Sequence, residues 1–181
     1  MITIVFESHS TSVDNEQDIA SGLNDMPLSN LGLKQAKDLG ERYQDQVFDA
    51  VFCSNQQRSY RTAEIAFGNR DFPIIRDPRL RECDYAHLNG APKAQVDAVK
   101  GQHIHEPFPG GESYEQTTEK MQSFLNELAQ NYNGKKVMII GSRATQYGLE
   151  HLINQVPLAE AVTAPWGWQP GWIYYLNRDE E

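Results

Sequence analysis

The chain has 181 residues, with 16 Lys plus Arg against 25 Asp plus Glu, a net charge of −9, and 39% hydrophobic residues. That composition is globular rather than disordered, and no run approaches the ~18 apolar residues of a membrane span. The acidic balance argues against a broad nucleic-acid surface, which needs a basic face, yet leaves room for a small basic pocket that takes an anion.

Residues 2–6 alternate and are β-rich, which suits a short buried strand. Ahead of it stands neither a basic stretch nor an apolar signal segment, so a cytoplasmic location is expected. A polar stretch runs to about Pro27, and Ser29 then offers an N-cap for a helix carrying Leu31, Ala36, Leu39 and Tyr43. Residues 49–53 read as a second strand. Ser54 reads as the cap of a helix through Arg58, Thr62 and Ala63 to Phe67, and residues 73–76 as a third strand. Residues 84–111 read as an irregular excursion with a short helix at 92–100. A long amphipathic helix follows, with Tyr114, Met121, Phe124, Leu125 and Leu128 on one side and Asn133-Gly134 at its end. Residues 136–140 form the clearest buried strand, a turn at 141–145 opens a helix to about 154, and residues 172–176 make a last strand before an acidic tail.

Strands alternating with helices imply a mostly parallel sheet. The expectation is one α/β domain over 1–181, three-layered, with helices flanking the sheet and the excursion at 84–111 covering the edge that carries the site. Ligands in such sheets sit beyond the carboxyl ends of the strands. At those ends stand His9, then Ser54 with Arg58, then Ser142 with Arg143; Glu82 follows the third strand. An arginine near a helix N-terminus suits a phosphate. From residue types alone, an anion pocket and a set of structural turns and surface charges remain alternatives. Cys53 and Cys83 lack metal-ligand spacing and read as reduced, partly buried thiols.

Taken in order, these pieces resemble the histidine phosphatase superfamily, whose founding members are phosphoglycerate mutases. His9 and Asn15 stand at the spacing of that family's nucleophile and following Asn. Gly22, Asp25, Pro27, Leu28, Ser29, Gly32, Gln35 and Ala36 keep every spacing of its next motif. Ser54, Arg58, Thr62 and Ala63, then Leu80-Arg81-Glu82, then residues 109–113 match further stretches. The resemblance implies a phosphoglycerate-mutase-like fold and hydrolysis of a small phosphomonoester through a phosphohistidine, with no metal or organic cofactor. It assigns the nucleophile to His9, the general acid and base to Glu82, and phosphoryl contacts to Arg58 and Asn15.

Three positions depart from the family pattern. Ser8 replaces its first arginine, Ser10 replaces the glycine after its nucleophile, and Ser142 stands where its second histidine belongs. Losing a charge-stabilising donor typically costs ~10²–10³ in rate, so a weakened hydrolase is expected, with Arg81 or Arg143 as candidate replacement cations, a solvated place in the first helical turn as the alternative for Arg143, and Ser8 and Ser142 as polar remnants. The alternatives are a silent phosphoester binder and a mutase; the short covering excursion favours the phosphatase. A nucleotide-binding domain is disfavoured because Ser8-His9-Ser10 stands where a Gly-rich turn would. His87, His103 and His105 lie in the excursion, too few on a loop for a metal, and read as exposed or touching substrate. Pro165, Trp166, Trp168, Pro170, Trp172, Tyr174 and Tyr175 form an aromatic cluster. Its expected role is packing of the last strand; a pocket wall or a partner surface is the alternative, and a homo-oligomer stays open.

Overall fold

The apolar runs become strands and the amphipathic segments become their cover. In the computed structural model, which describes residues 1–177, the chain opens with β1 (Ile2–Ser8), α1 (Val13–Glu16), β2 (Ile19–Ala20) and α2 (Asn30–Arg42). It continues with β3 (Ala50–Cys53), α3 (Gln57–Phe67), β4 (Ile74–Arg76), β5 (Ala91–Pro92) and α4 (Lys93–Val99). Then come α5 (Tyr114–Asn131), β6 (Lys136–Gly141), α6 (Arg143–Leu152), α7 (Leu158–Thr163) and β7 (Trp172–Leu176). The acidic tail read from the sequence lies outside the described residues.

Five strands form one sheet in the order β4-β3-β6-β1-β7, parallel except for β7, which runs antiparallel to β1. The central strand β6 sets the register, with Gly141 beside Ser8 and Ile140 beside Cys53. The chain therefore leaves β1, β3 and β6 at one edge, and His9, Ser54 and Ser142 emerge side by side.

Alternation along the strands divides the core. Ile4, Phe6, Phe52 and Ile139 pack against Met121, Phe124 and Leu125 of α5 and Leu149 of α6. Val5, Val51, Met138 and Ile140 pack against Leu39 of α2, Tyr43 just beyond it, and Ala63 and Phe67 of α3. Helices thus cover both faces. Among the described residues, no helix is long and apolar enough to cross a membrane.

The segment 84–111 is more ordered than its Gly and Pro content predicts. It holds β5, α4 and two short 3₁₀ turns, and its buried Phe108 packs on Tyr85 and Tyr114 with ring centroids 5.1 and 6.1 Å away. β5 pairs antiparallel with β2, joining the excursion to the loop after α1. Ser54 does not cap α3. That helix starts at Gln57, whose N–H donates to Asp25 Oδ1 at 2.6 Å. Ser54 instead accepts from Gln56 N at 3.3 Å, while its own N–H donates to Ser59 Oγ at 3.1 Å. The helices α1 and α7 were hidden by their length, four and six residues.

Candidate active site

The loop after β1 is pinned from three sides. His9 N–H donates to the Gly141 carbonyl at 2.9 Å, Ser10 N–H to Thr62 Oγ1 at 3.0 Å, and Thr11 N–H to Gln35 Oε1 at 2.9 Å. Helix α2 comes so close that a Cβ on Gly32 would lie 1.9 Å from the Thr11 carbonyl oxygen, so only glycine fits there. The family-like motif residues Gly32, Gln35 and Thr62 therefore all act on Ser10 and Thr11, the two residues after the histidine.

His9 Nδ1 lies 2.8 Å from the Ser10 carbonyl oxygen. A carbonyl only accepts, so Nδ1 carries the proton and Nε2 is left with its lone pair. Burial, then the charges of Arg58 and Arg143, push the imidazole down to about 3, so it is neutral at pH 7.

Arg58 is only 3% exposed. Its guanidinium donates to the carbonyls of Gly22 (2.8 Å) and Asn24 (2.9 Å), and burial pulls its pKa below the ordinary value. Gly22 has φ +54°, and a Cβ there would meet Asn89 Oδ1 at 1.9 Å. That glycine lets the backbone turn its carbonyl onto the arginine while Asn89 of the excursion packs over it. Among the described residues no carboxylate stands in salt-bridge contact with Arg58, which leaves its charge available to an anion.

These groups line one cavity of about 570 Å³, together with Glu82, Asn15, Ser8 and Arg143. Glu82 is buried and accepts from Cys83 N–H at 2.8 Å. Its charge acts on Arg58 and on the buried phenols Tyr85, Tyr114 and Tyr147, all of whose pKa values burial raises first. Asn15 sits at the exposed rim with Oδ1 committed to Ser12 N–H at 2.9 Å, which leaves its amide nitrogen for an anion. Among the described residues, no group of three or more His, Cys, Asp or Glu could hold a metal ion.

The expected replacement cations part company. Arg143, the first residue of α6, lines the cavity, with its guanidinium carbon 4.4 Å from the Trp166 ring centroid. Arg81 does not line it; it is exposed and donates to Asn55 Oδ1 at 2.6 Å. After a 3₁₀ turn at Pro78–Leu80 the backbone is extended at Arg81 (φ −67°, ψ 159°), where successive side chains point to opposite sides, so Glu82 faces inward and Arg81 outward. Ser142 is the buried N-cap of α6, and its Oγ lies 3.4 Å from Thr145 Oγ1; it is not part of the cavity lining. Ser8 lines the cavity and is half-buried.

Other residues were not anticipated. Glu7 is 1% exposed, accepts from the Tyr43 hydroxyl (2.6 Å) and pairs with Arg42 (3.1 Å); burial raises its pKa. Both Glu7 and Arg42 line the cavity. The only signal in the sequence was a lone carboxylate ending an apolar strand. Lys93 and Lys100, each paired with Asp97, line the cavity from the excursion. The aromatic cluster divides in two: Trp166 and Trp168 are cavity wall, while Trp172 and the buried Tyr174 pack on the sheet. The histidines of the excursion do not line the cavity. His103 stacks on Phe108 at 4.0 Å, His105 reaches Glu115, and His87 is exposed. Cys53 and Cys83 are free and buried, and burial raises both thiols, Cys53 to about 12.

The family model of the histidine phosphatase superfamily (branch 1) matches residues 4–174. A curated relative, the "uncharacterized phosphatase PhoE" of Bacillus subtilis (strain 168), is 29% identical over 149 residues, 82% of this chain and 76% of that protein. The 2,3-bisphosphoglycerate-dependent phosphoglycerate mutase of Rhizobium meliloti (strain 1021) is 28% identical over 192 residues, 98% of this chain and 91% of that one. Among solved structures, Bacillus stearothermophilus YhfR aligns with a TM-score of 0.83 and 22% identity, covering 99% of this chain and 96% of that chain.

Proposed function

Because the chain belongs to the histidine phosphatase superfamily (branch 1), we propose that it hydrolyses a small phosphomonoester in two steps through a phosphohistidine on His9. The observation that carries this reading is a neutral His9 with a proton on Nδ1, sharing one cavity with Arg58, Arg143 and Glu82. His9 Nε2 attacks phosphorus as the bond to the leaving oxygen breaks, and Glu82 protonates that oxygen. Glu82 then takes a proton from water, which attacks the phosphohistidine and frees phosphate and His9. Arg58 and Arg143 offset charge on the phosphoryl oxygens, and Asn15 positions them through its amide.

We read the rate as lower than that of a chain with histidine at position 142. Ser142 reaches Thr145 rather than the cavity, and Ser8 carries no charge. Hydrolysis is preferred to mutase chemistry because the covering segment is slight: one strand pair, a seven-residue helix and short turns. The two missing contacts also support a rival reading, in which the cavity binds a phosphoester without turning it over.

The test is hydrolysis of para-nitrophenyl phosphate by the chain and by His9→Gln, with acid and alkaline quenching of the phosphoenzyme. Turnover lost in His9→Gln and an acid-labile, alkali-stable phosphoryl group support the hydrolase. Phosphate binding with no turnover by a folded chain supports the rival.

A further inference from the structure

We propose that Trp166 is a positioning residue that holds Arg143 in the cavity, an inference that rests on reading Arg143 as a phosphoryl contact. An arginine in the first turn of a surface helix normally extends into water, because its long side chain loses rotamer freedom when fixed. Arg143 is half-buried instead. No carboxylate pairs with it among the described residues; its neighbours are the Trp166 ring at 4.4 Å and the phenol of Tyr147. The indole therefore supplies the direction that an ion pair would otherwise supply.

Trp166 is itself fixed from two directions. Its Nε1–H donates to Gln146 Oε1 at 2.7 Å, and Gln146 is buried in α6 one turn beyond Arg143. Its ring stacks on Trp172, with centroids 6.1 Å apart at 28°. Trp172 lies opposite Phe6 in the β1–β7 register, with ring centroids 5.7 Å apart. A continuous aromatic column thus runs from the core residue Phe6 through Trp172 and Trp166 to the guanidinium. The cation that this column steers stands in a cavity where Ser8 and Ser142 bring no charge.

The test is a double-mutant cycle of Trp166→Ala and Arg143→Ala, with Trp166→Phe as the conservative variant. Each folded protein, checked by thermal unfolding, is assayed for kcat and KM with para-nitrophenyl phosphate and for affinity for orthovanadate. Trp166→Ala is expected to lower kcat/KM and orthovanadate affinity about tenfold, the scale of a desolvated cation–π contact. It should cost nothing further in the Arg143→Ala background, and Trp166→Phe should keep most of the effect. An equal loss in both backgrounds, or no loss in the parent, overturns the proposal. If Arg143→Ala alone changes neither quantity, Arg143 is no phosphoryl contact and the positioning role falls with it, whatever His9→Gln shows. If turnover is absent throughout, orthovanadate affinity in the same proteins decides.

Discussion

Ser10 is tied to Thr62: its backbone N–H donates to Thr62 Oγ1 at 3.0 Å, and that hydroxyl donates to the Arg58 carbonyl at 2.7 Å. One hydroxyl therefore fixes the spacing between the loop of His9 and the helix of Arg58. Thr62→Val keeps the shape but leaves a buried N–H without an acceptor, which costs about 1–3 kcal/mol. We expect a lower urea midpoint and a fall in kcat larger than the change in KM.

Arg143 and Arg81 separate in space, and we expect them to separate in function. Arg143→Ala is expected to lower kcat/KM for an aryl phosphate about a hundredfold, the scale for losing one charge-stabilising donor. Arg81→Ala removes an exposed contact to Asn55 and should stay within about twofold, since surface polar pairs contribute little. Equal losses in the two variants would put the working cation outside the cavity.

Ser142→His is expected to raise kcat by about tenfold to a hundredfold. The gain falls short of the full value of a donor because Arg143 already supplies charge nearby, and because the new ring displaces the contact with Thr145. Steady-state rates of the parent and the variant decide this. A variant no faster than its parent would mean that Arg143 has fully replaced the histidine.

His9 makes stability depend on pH in a defined window. Unfolded, the imidazole takes up a proton near pH 6.5; folded, it stays neutral down to about 3. Between those values the unfolded chain binds more protons, so stability falls as pH falls through the window and is unaffected by His9 above it. Thermal midpoints followed from pH 7 to pH 4 should drop less steeply in His9→Gln than in the parent. The same shift keeps the His9 imidazole unprotonated in mild acid, so the acid limb of kcat/KM should not carry a step near 6.5 from His9.

The frame of the fold was legible because burial writes itself into local runs. Residues 2–6, 136–140 and 172–176 are continuous apolar or alternating stretches, and Ser29 caps α2 as read, accepting from Gly32 N–H at 3.1 Å. The strands β2 and β5 were not legible. Two residues carry no period, and their pairing is set by distant segments meeting. In the site, His9, Arg58 and Glu82 were visible at strand ends and motif spacings, and the structure brings them to one cavity. The direction of Arg143 was not, because an aromatic residue far along the chain sets it. Nor was the Glu7–Arg42 pair, since no local pattern links the end of β1 to the end of α2.

The β2–β5 pairing has a mechanical consequence. Gly90 N–H donates to the Ala20 carbonyl at 2.8 Å and Lys93 N–H to the Asp18 carbonyl at 2.6 Å, so the roof of the cavity is stitched to the loop whose Gly22 and Asn24 carbonyls grip Arg58. Raising that roof as a hinged door would pull the grip off the arginine and dismantle the site it opened. The wall that carries Trp168, 59% exposed with the Arg42 guanidinium carbon 5.7 Å from its ring centroid, takes no part in that stitching.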